Sequence, residues 1–336
     1  MLDKPDFADE IMIVCLQTEY ELRIVHVVFL PLGSDLDTAV YRAVADDETA
    51  YFCKLRRGVF DETSVTLPRL LRDQGIAHII PPLPTQSGQL WAVLGEFNLI
   101  VYPFVEGTNG YEVELSERQW ADFGAALKQL HTTIVPATIL QSIRKERYDP
   151  EWRERCKNII ETLDAETFDD PVIEDMAAFL QSKRTMILDA VGRAEQLAHT
   201  MASRSMEYVL CHGDIHPGNL FIDSQGTLFI VDWDYPMLAP KERDLMFIGG
   251  GQGFMPYVAE HEELLFYRGY GQPSLDPVAL TYYRYERSIT DIAVACEQIL
   301  ASKQGGQDRN QSLQYLKWGF LPGCTLEIAY TADTTR

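Results

Sequence analysis

The pattern of hydrophobic and polar positions changes character near residues 106–110, where the sequence reads Glu-Gly-Thr-Asn-Gly. Before this stretch, short segments rich in branched and aromatic residues are separated by polar turns, a pattern that predicts strands. These segments are His26–Leu30, Ala39–Val44, Ala50–Leu55, Leu90–Leu94 and Leu99–Val105. Helical spacing of apolar residues predicts helices over Glu10–Tyr20 and Asp61–Gln74. Residues 1–105 are therefore predicted to form a small domain of strands and helices.

The remainder of the chain, residues 106–336, has mainly helical periodicity. Ser116 and Gln119 form a capping box at one helix start, because each side chain can accept a hydrogen bond from the backbone N–H of the other. Asp170 and Asp276 mark two further starts, since each precedes a proline and can cap the first turn. The last residues, 331–336, are predicted to be loose.

A polar loop within the second part of the chain carries the candidate chemistry. Asp214 and Asn219 lie five residues apart, and two short apolar strands over 220–222 and 228–231 lead to Asp232. Phosphoryl transfer from ATP needs a carboxylate beside the acceptor hydroxyl and oxygen ligands for Mg²⁺. Protein kinases supply these groups as an Asp, an Asn five residues later and a further Asp. The loop therefore predicts a kinase, and we interpret it as one that acts on a small molecule.

The motif His-Gly-Asp-x-x-x-x-Asn over 212–219, followed by the strand-borne Asp, resembles the aminoglycoside phosphotransferase and choline kinase superfamily. Within it, Asp232-Trp233-Asp234 and the runs over 236–251 and 282–287 are similar to the spectinomycin phosphotransferases. The resemblance implies an α+β, two-lobed protein-kinase-like fold. Its small N-lobe, residues 1–105, would hold an antiparallel sheet plus a helix. Its larger, mainly helical C-lobe, residues 106–336, would hold the catalytic loop, metal site and substrate pocket.

Four oxygen-bearing side chains receive roles in this chemistry. Asp214 is the candidate catalytic base, or the carboxylate that orients the acceptor hydroxyl. Asn219 and Asp232 are the candidate Mg²⁺ ligands, because Mg²⁺ prefers hard oxygen donors and takes only one or two from protein. Asp234 is a candidate for a further acidic ligand, with a turn cap before Tyr235 as its alternative role.

Histidines on both sides of Asp214 raise a different interpretation. His212 and His216 have the spacing His-x-Asp-x-His, which could bind zinc in a hydrolase. No distant His, Cys or Asp cluster of ligand spacing completes such a site, and Asn219 would have no role in it. The resemblance instead implies that His212 braces the catalytic loop and that Asp244 accepts hydrogen bonds from the loop amides. A charge at a helix N-terminus is the other interpretation of Asp244.

Lys54 lies in the middle of an apolar strand, where an unpaired ammonium would be costly. The resemblance implies that it contacts the α- and β-phosphates of ATP and pairs with a helix Glu. Glu62, at the start of the next helix, is the first candidate for this pair and Asp61 the second. A lysine that reaches water from an edge strand is the alternative.

Further nucleotide contacts follow from the same resemblance. The phosphate-covering loop over 32–38 holds a single glycine, Gly33, so Ser and Thr donors would replace a Gly-rich cradle. The residues so assigned are Ser34 and Thr38 in this loop and Tyr102, Phe104 and Val105 at the adenine hinge. ATP with Mg²⁺ is the expected cofactor pair, and GTP is an open alternative.

A pocket for a cationic acceptor is expected between the catalytic loop and the C-terminal helices. Glu286 and Asp291 would offer carboxylates there, and Tyr148 and Trp152 would offer aromatic faces to an ammonium group. Packing or solvation is the alternative role for each of these four side chains.

Charge and composition narrow the class of partner. The 336 residues carry a formal net charge of −21, which disfavours nucleic acid and anionic membranes and suits a cationic small molecule. Solubility alone is the other explanation for this charge. Six cysteines without metal-ligand spacing, no leader segment and no apolar run of membrane length predict a cytoplasmic protein with buried free thiols. A monomer or weak dimer is expected.

The motif and the resemblance together predict an ATP-dependent kinase that phosphorylates a hydroxyl of an aminocyclitol or aminoglycoside antibiotic, spectinomycin above all. A kinase of a metabolic alcohol, such as a sugar, an amino alcohol or a choline-like compound, would keep the reaction and change the acceptor. A nucleotide-binding protein without turnover is a third hypothesis. A protein kinase is disfavoured because no convincing Ala-Pro-Glu element or activation segment follows Asp232.

Overall fold

The computed structural model describes residues 4–33, 35, 37–165, 168–249, 259–301 and 307–334. The chain divides into two compact units. The first comprises Met1–Glu112 and Asn219–Pro236, and the second comprises Val113–Gly218 and Met237–Arg336. The hairpin that follows the catalytic loop therefore belongs with the N-terminal strands, although it lies more than a hundred residues further along the chain.

Strands dominate the first third of the chain, and helices dominate the remainder. In chain order the elements are α1 (Asp9–Tyr20), β1 (Ile24–Leu30), β2 (Thr38–Ala45), β3 (Ala50–Arg57), α2 (Thr63–Asp73), β4 (Ala92–Leu94), β5 (Phe97–Pro103), β6 (Gly107–Asn109), α3 (Glu117–Thr132), α4 (Ala137–Leu140), β7 (Arg144–Lys145), α5 (Glu151–Ala165), α6 (Pro171–Ala202), β8 (Val209–Cys211), β9 (Leu220–Asp223), β10 (Leu228–Ile230), β11 (Met237–Ala239), α7 (Glu242–Leu245), α8 (Ala259–Tyr270), α9 (Pro277–Ala301), α10 (Gln307–Trp318) and α11 (Thr325–Thr334). A single 3₁₀ turn over Pro217–Asn219 precedes β9.

The first unit is built on an antiparallel sheet with the strand order β1-β2-β3-β5-β4, and a smaller sheet has the order β10-β9-β6. Successive side chains of a strand point to opposite faces. Cys53 and Leu55 of β3 therefore enter the apolar core together with Leu16 of α1. Lys54 and Arg56, which alternate with them, lie on the other face of the same strand.

The second unit is mainly helical, with α9 at its centre. This helix contacts α5, α6, α10 and α11, and α3 packs against α8. Tyr282, Tyr283 and Tyr285 of α9 are fully buried, so the helix contributes a tyrosine-rich face to the core. Strand β11 pairs with β8 in antiparallel and with β7 in parallel orientation. The sheet with a helix in the first unit and the mainly helical second unit confirm the predicted α+β class.

Several predicted helix starts are confirmed. Ser116 Oγ accepts a hydrogen bond from the Gln119 N–H (3.3 Å) and Gln119 Oε1 accepts one from the Ser116 N–H (2.9 Å), which is the capping box of α3. Asp170 accepts from two amides in the first turn of α6. Asp276 does the same for α9.

The prediction of a loose tail from residue 331 is wrong for the part that the structure describes. Helix α11 continues to Thr334, because its side chains have partners on α6 and α9. The Tyr330 ring packs edge-on against Tyr285 with ring centroids 5.4 Å apart. Asp333 Oδ2 accepts a hydrogen bond from Arg193 Nη1 at 2.7 Å. These partners lie far away in sequence, so local composition gave no sign of them.

Two further sequence expectations concern the cysteines and the apolar length of the helices. The six cysteines are unpaired, and all except Cys15 are buried. None of the helices within the described ranges combines the length and the apolar character that crossing a bilayer requires.

Helices α3 and α8 approach each other backbone to backbone at Gly124 and Gly269. A Cβ atom added at Gly124 would collide with the carbonyl of Phe266, and one added at Gly269 with the carbonyl of Ala121. The colliding atoms belong to the backbone of a neighbouring helix, so they cannot turn aside as a flexible side chain could. This contact fixes the position of α3, whose last turn carries His131.

We expect Gly269→Ala to lower the free energy of unfolding by about 1–3 kcal/mol, because the methyl group overpacks the α3–α8 contact. The matched control is Gly192→Ala in α6, where an added Cβ meets nothing within 4 Å. That substitution should raise stability by about 0.5–1 kcal/mol through helix propensity alone. Urea unfolding followed by circular dichroism measures both, and equal effects of the two substitutions would contradict the close-contact explanation.

Candidate active site

Two carboxylates of the first unit converge on Lys54. Its Nζ lies 2.7 Å from Asp232 Oδ1 and 2.8 Å from Asp234 Oδ2. Asp232, which comes just after β10, has a backbone φ of 63°, a left-handed value that is uncommon outside glycine. The resulting turn buries the intervening Trp233, whose Nε1–H donates to the Ile230 carbonyl at 3.1 Å. The turn thereby directs both flanking carboxylates toward β3.

The Lys54 ammonium is held in its charged form by these partners. Its side chain is only 11% exposed. Burial alone would lower the pKa of Lys54, but the carboxylates of Asp232 and Asp234 raise it above its usual range. A mid-strand lysine is therefore compatible with the apolar run around it, because its charge is neutralised inside the unit.

The predicted pairing of Lys54 with Glu62 is not found in the structure. Helix α2 begins at Thr63, and the Glu62 side chain is exposed at its N-cap position. Asp61 Oδ1 instead accepts hydrogen bonds from the N–H and the hydroxyl of Thr63, the first residue of this helix. Lys54 contacts Asp232 and Asp234 instead, and these two carboxylates supply the countercharge that the prediction assigned to the helix.

Arg56 belongs to the same cluster and was missed by the sequence analysis. Its Nη1 lies 2.6 Å from Asp234 Oδ2. A signal was available, since Arg56 follows Lys54 by two residues and therefore shares its face of β3. The cluster thus joins two cations on one strand with two carboxylates on the loop after β10.

Oxygen donors of this unit fit a divalent cation of the Mg²⁺ type. Asp232 is the more accessible carboxylate, with its side chain 47% exposed, whereas Asp234 is 11% exposed. Asn219 is buried. Its backbone carbonyl accepts a hydrogen bond from the Val231 N–H at 2.9 Å, which ties Asn219 to the end of the strand that leads to Asp232. Carboxylate and amide oxygens are the protein ligands that Mg²⁺ prefers.

The predicted nucleotide contacts lie on β2, β5 and the segment after it. Thr38 Oγ1 donates to Asp35 Oδ2 at 2.8 Å and so supports the turn before β2. Tyr102 is the partner of Phe52 across β5 and β3, and the Phe104 N–H donates to the Ala50 carbonyl at 3.2 Å. In the described part of the chain the Val105 N–H makes no hydrogen bond, so it can donate to a ligand. Ser34 lies outside the described residues, as do the last two residues of the run over 236–251.

The candidate catalytic loop of the second unit is anchored on the buried carboxylate of Asp244. Its two oxygens accept hydrogen bonds from the backbone N–H groups of His212 and Gly213, each at 2.8 Å. His131 Nε2 lies 3.0 Å from Asp244 Oδ2, and His131 Nδ1 lies 2.7 Å from the Tyr270 hydroxyl. Burial would raise the pKa of Asp244, but the hydrogen bonds from His131 and the loop lower it. The loop backbone is therefore held by a charged acceptor.

Asp214 emerges from this anchored loop with a partly buried side chain, 22% exposed. Its Oδ1 is paired with the Arg287 guanidinium, and His216 Nε2 lies 3.6 Å from its Oδ2. Burial would raise the pKa of Asp214, but the charge of the paired Arg287 guanidinium holds it well below its usual range. Asp214 is therefore ionised near neutral pH and can accept a hydrogen bond from a hydroxyl group.

The neighbouring histidine is neutral in this environment. Burial lowers the pKa of His216 to about 4. The Gly218 N–H donates to His216 Nδ1 at 3.1 Å, so the ring proton is on Nε2, the nitrogen that faces Asp214. The Nδ1 lone pair accepts this hydrogen bond and Nε2 carries the ring proton. The role of His216 therefore lies within the loop and is unlike that of a zinc ligand.

The residues predicted for a cationic acceptor are separated by the structure. Glu286 is buried and accepts from Arg153 Nη1 at 2.6 Å, and burial raises the pKa of Glu286 to about 7. Tyr148 is buried as well, with its ring edge-on to Tyr282. The Trp152 ring carries the Arg155 guanidinium 4.6 Å from its centroid.

Asp291 differs from these three side chains, because it lies beside the catalytic loop. It pairs with Arg287 at 2.9 Å, and the same guanidinium binds Asp214. Arg287 itself was missed by the sequence analysis as a site residue.

Asp244→Asn should lower the free energy of unfolding by about 1–3 kcal/mol, because an amide N–H₂ would face a backbone N–H donor and leave it unsatisfied. The measurement is a urea titration of the purified variant. Asp122→Asn serves as control, since Asp122 forms only a surface i,i+4 pair with Arg118 and its loss should change stability by less than about 0.5 kcal/mol. A loss no larger than that of the control would show that Asp244 does not anchor the loop.

Comparison with known proteins adds a family and close structural relatives. The family model described as the phosphotransferase enzyme family matches residues 28–270. The crystal structure of a spectinomycin phosphotransferase in complex with ADP and spectinomycin is 36% identical, with a TM-score of 0.89 over 98% of this chain and 99% of that one. Its AMP-bound complex matches at 36% identity and a TM-score of 0.85, over 96% and 98% of the two chains.

More distant structures share the fold. A choline kinase from Streptococcus pneumoniae is 14% identical, with a TM-score of 0.58 over 92% of this chain and 97% of that one. Comparison with curated protein sequences gives no significant match.

Proposed function

Because the chain belongs to the phosphotransferase enzyme family, we propose that it transfers the γ-phosphoryl group of ATP to a hydroxyl of an aminocyclitol or aminoglycoside, with spectinomycin as the first candidate. Transfer to an antibiotic would make it a resistance enzyme. The observation that carries the choice of acceptor is the 36% identity to a spectinomycin phosphotransferase over nearly the whole of both chains. The more distant choline kinase supports only the fold.

The roles of the residues follow from their surroundings. Asp214 accepts the proton of the acceptor hydroxyl and aligns its oxygen for attack, which a loose transition state needs more than early deprotonation. Lys54 contacts the phosphates of the nucleotide, because its ammonium is charged and is held by Asp232 and Asp234. Tyr102, Phe104 and Val105 form the adenine hinge, where the Val105 N–H is the available donor.

Asn219, Asp232 and Asp234 would hold the Mg²⁺ ion of the nucleotide, because their donors are hard oxygens. When bound, this ion neutralises charge on the phosphate oxygens during transfer. Arg56 adds a second cation beside Asp234 at 2.6 Å, so it opposes the increase in the pKa of Asp234 that burial causes and helps to hold the carboxylate in place.

The first test is turnover with a panel of acceptors. Purified protein with Mg-ATP should phosphorylate spectinomycin and leave choline and simple sugars unchanged, as followed by product mass. Asp214→Asn should lower kcat by about 10²–10⁴, because the amide cannot accept the proton. Asp175→Asn, which removes only a surface pair with Lys317, should keep the activity.

The acceptor panel separates the alternatives. Product formed only with a metabolic alcohol would replace the antibiotic as substrate and keep the reaction. Nucleotide binding without product from any acceptor would contradict the proposed phosphotransfer activity and favour a nucleotide-binding protein without turnover.

The second test addresses the metal ligands. Asp232→Asn should raise the Mg²⁺ concentration that gives half-maximal activity by about 10-fold or more, because one charged ligand is lost and each factor of 10 corresponds to about 1.4 kcal/mol. Asp73→Asn is the matched control, since Asp73 is exposed and, among the described residues, pairs only with Arg69 one helical turn away on the same unit. An unchanged Mg²⁺ dependence in Asp232→Asn would remove Asp232 from the metal site.

A further inference from the structure

A guanidinium bridges two carboxylates beside the candidate catalytic loop. Arg287 of α9 pairs through Nη1 with Asp214 Oδ1, and its Nε lies 2.9 Å from Asp291 Oδ1, one helical turn further along α9. The side chains of Arg287 and Asp214 are 23% and 22% exposed, so the pair is mostly shielded from water. Shielding strengthens this interaction relative to a surface ion pair.

An aromatic ring fixes the same guanidinium from another side. The Arg287 Cζ lies 5.4 Å from the centroid of the Phe247 ring, which is buried. The His216 ring packs edge-on against Phe247 with centroids 6.5 Å apart. Phe247 therefore contacts both side chains that flank the Asp214 carboxylate. With Asp291 on one side and Phe247 on another, little rotamer freedom remains for Arg287.

From this geometry we propose that Arg287 is a positioning residue of the phosphotransfer reaction, which holds the Asp214 carboxylate ionised and in one orientation toward the acceptor hydroxyl. Asp291 and Phe247 hold Arg287 in turn. The inference rests on the proposed function, because Asp214 is the hydroxyl-orienting group only in a kinase.

Among the charges that face Asp214, that of Arg287 contributes most to keeping its carboxylate ionised. From its own loop Asp214 is faced by His212 and His216, and from α9 by Arg287 and Asp291. Since burial lowers the pKa of His216 to about 4, that ring is neutral at the pH of a kinase assay. The guanidinium is charged at every working pH.

Asp291 is negative, so it favours a protonated Asp214, and Arg243 of α7 partly offsets its charge. Removal of Arg287 would therefore leave Asp214 beside a like charge.

The test is the pH profile of kcat/KM for Arg287→Gln. Loss of an opposite charge at this distance raises a carboxyl pKa by about 1–3 units, so the acid limb of the profile should move to higher pH by that amount. The sign follows because Asp214 must be ionised to accept the hydroxyl proton. A purely structural role would instead lower activity by the same factor at every pH at which both proteins stay folded, without movement of the acid limb, and that result would overturn the proposal.

Two further variants sharpen the comparison. Arg287→Lys keeps the charge, so its acid limb should stay within about one unit of the wild type, while kcat falls because the planar fork is lost. An acid limb displaced as far as in Arg287→Gln would contradict the role of charge. Arg193→Gln is the matched control, since Arg193 also bridges two aspartates, Asp189 and Asp333, and its profile should be unchanged.

A spectroscopic titration separates this proposal from the proposed function. Protein labelled with ¹³C at the aspartate carboxyl carbons gives a resonance for Asp214, assigned by its absence in Asp214→Asn. This resonance should titrate at higher pH in Arg287→Gln than in the wild type, whether or not any aminocyclitol is phosphorylated. Identical titrations would overturn the positioning role even in an active kinase. A shifted titration in a protein without turnover would refute only the proposed function.

Discussion

The buried carboxylate of Asp244 is the constraint on which the candidate catalytic loop depends. A fully buried charge is costly unless hydrogen bonds compensate it, and Asp244 obtains them from two loop amides and from His131. The same hydrogen bonds leave the loop backbone with one conformation at His212 and Gly213. Asp214 follows directly, so its side chain leaves the loop at a defined point. The stability of the second unit and the placement of the candidate base thus have one physical origin.

In the cluster around Lys54 in the first unit, cations rather than loop amides compensate the carboxylates. Here carboxylates are compensated by cations, since Asp232 and Asp234 face Lys54 and Arg56. Two carboxylates on one tight turn repel each other, and the left-handed backbone of Asp232 is tolerated because these partners hold both side chains. A divalent cation provides the same kind of compensation. The geometry that suits the ammonium therefore also brings two carboxylates with hard oxygen donors close together.

Local signals made much of the fold predictable. Capping residues and prolines mark the starts of α3, α6 and α9, and apolar segments mark the strands, because these signals act within one or two turns of chain. The spacing from Asp214 to Asn219 predicts the candidate site from the same kind of local signal. The ion pairs were not predictable, since their partners lie far apart in sequence. Lys54 illustrates this limit: Glu62 is near along the chain, but Asp232 and Asp234 supply the countercharge.

The angle between successive side chains of a helix explains why Arg287, and not Glu286, lies beside Asp214. Glu286 and Arg287 are adjacent, so they point about 100° apart on α9. That rotation places Glu286 inside the unit with Arg153 and places Arg287 at Asp214. Both residues lie in the run over 282–287, but the sequence of that run does not show which of them faces the loop. The residue predicted to attract a cationic acceptor is therefore internal, and the residue beside the candidate base is itself a cation.

This arrangement bears on how a cationic acceptor would be recognised. The net charge of −21 attracts cations toward the protein as a whole, but the charges of Asp214 and Asp291 are partly compensated by the single guanidinium of Arg287. A compensated carboxylate retains its hydrogen-bond acceptor oxygens while its long-range field is weakened. Asp214 is thus suited to select a hydroxyl group and poorly suited to select an ammonium. Discrimination between aminocyclitols and neutral sugars would then depend on carboxylates outside this bridge, which separates the residues that govern catalysis from those that govern acceptor choice.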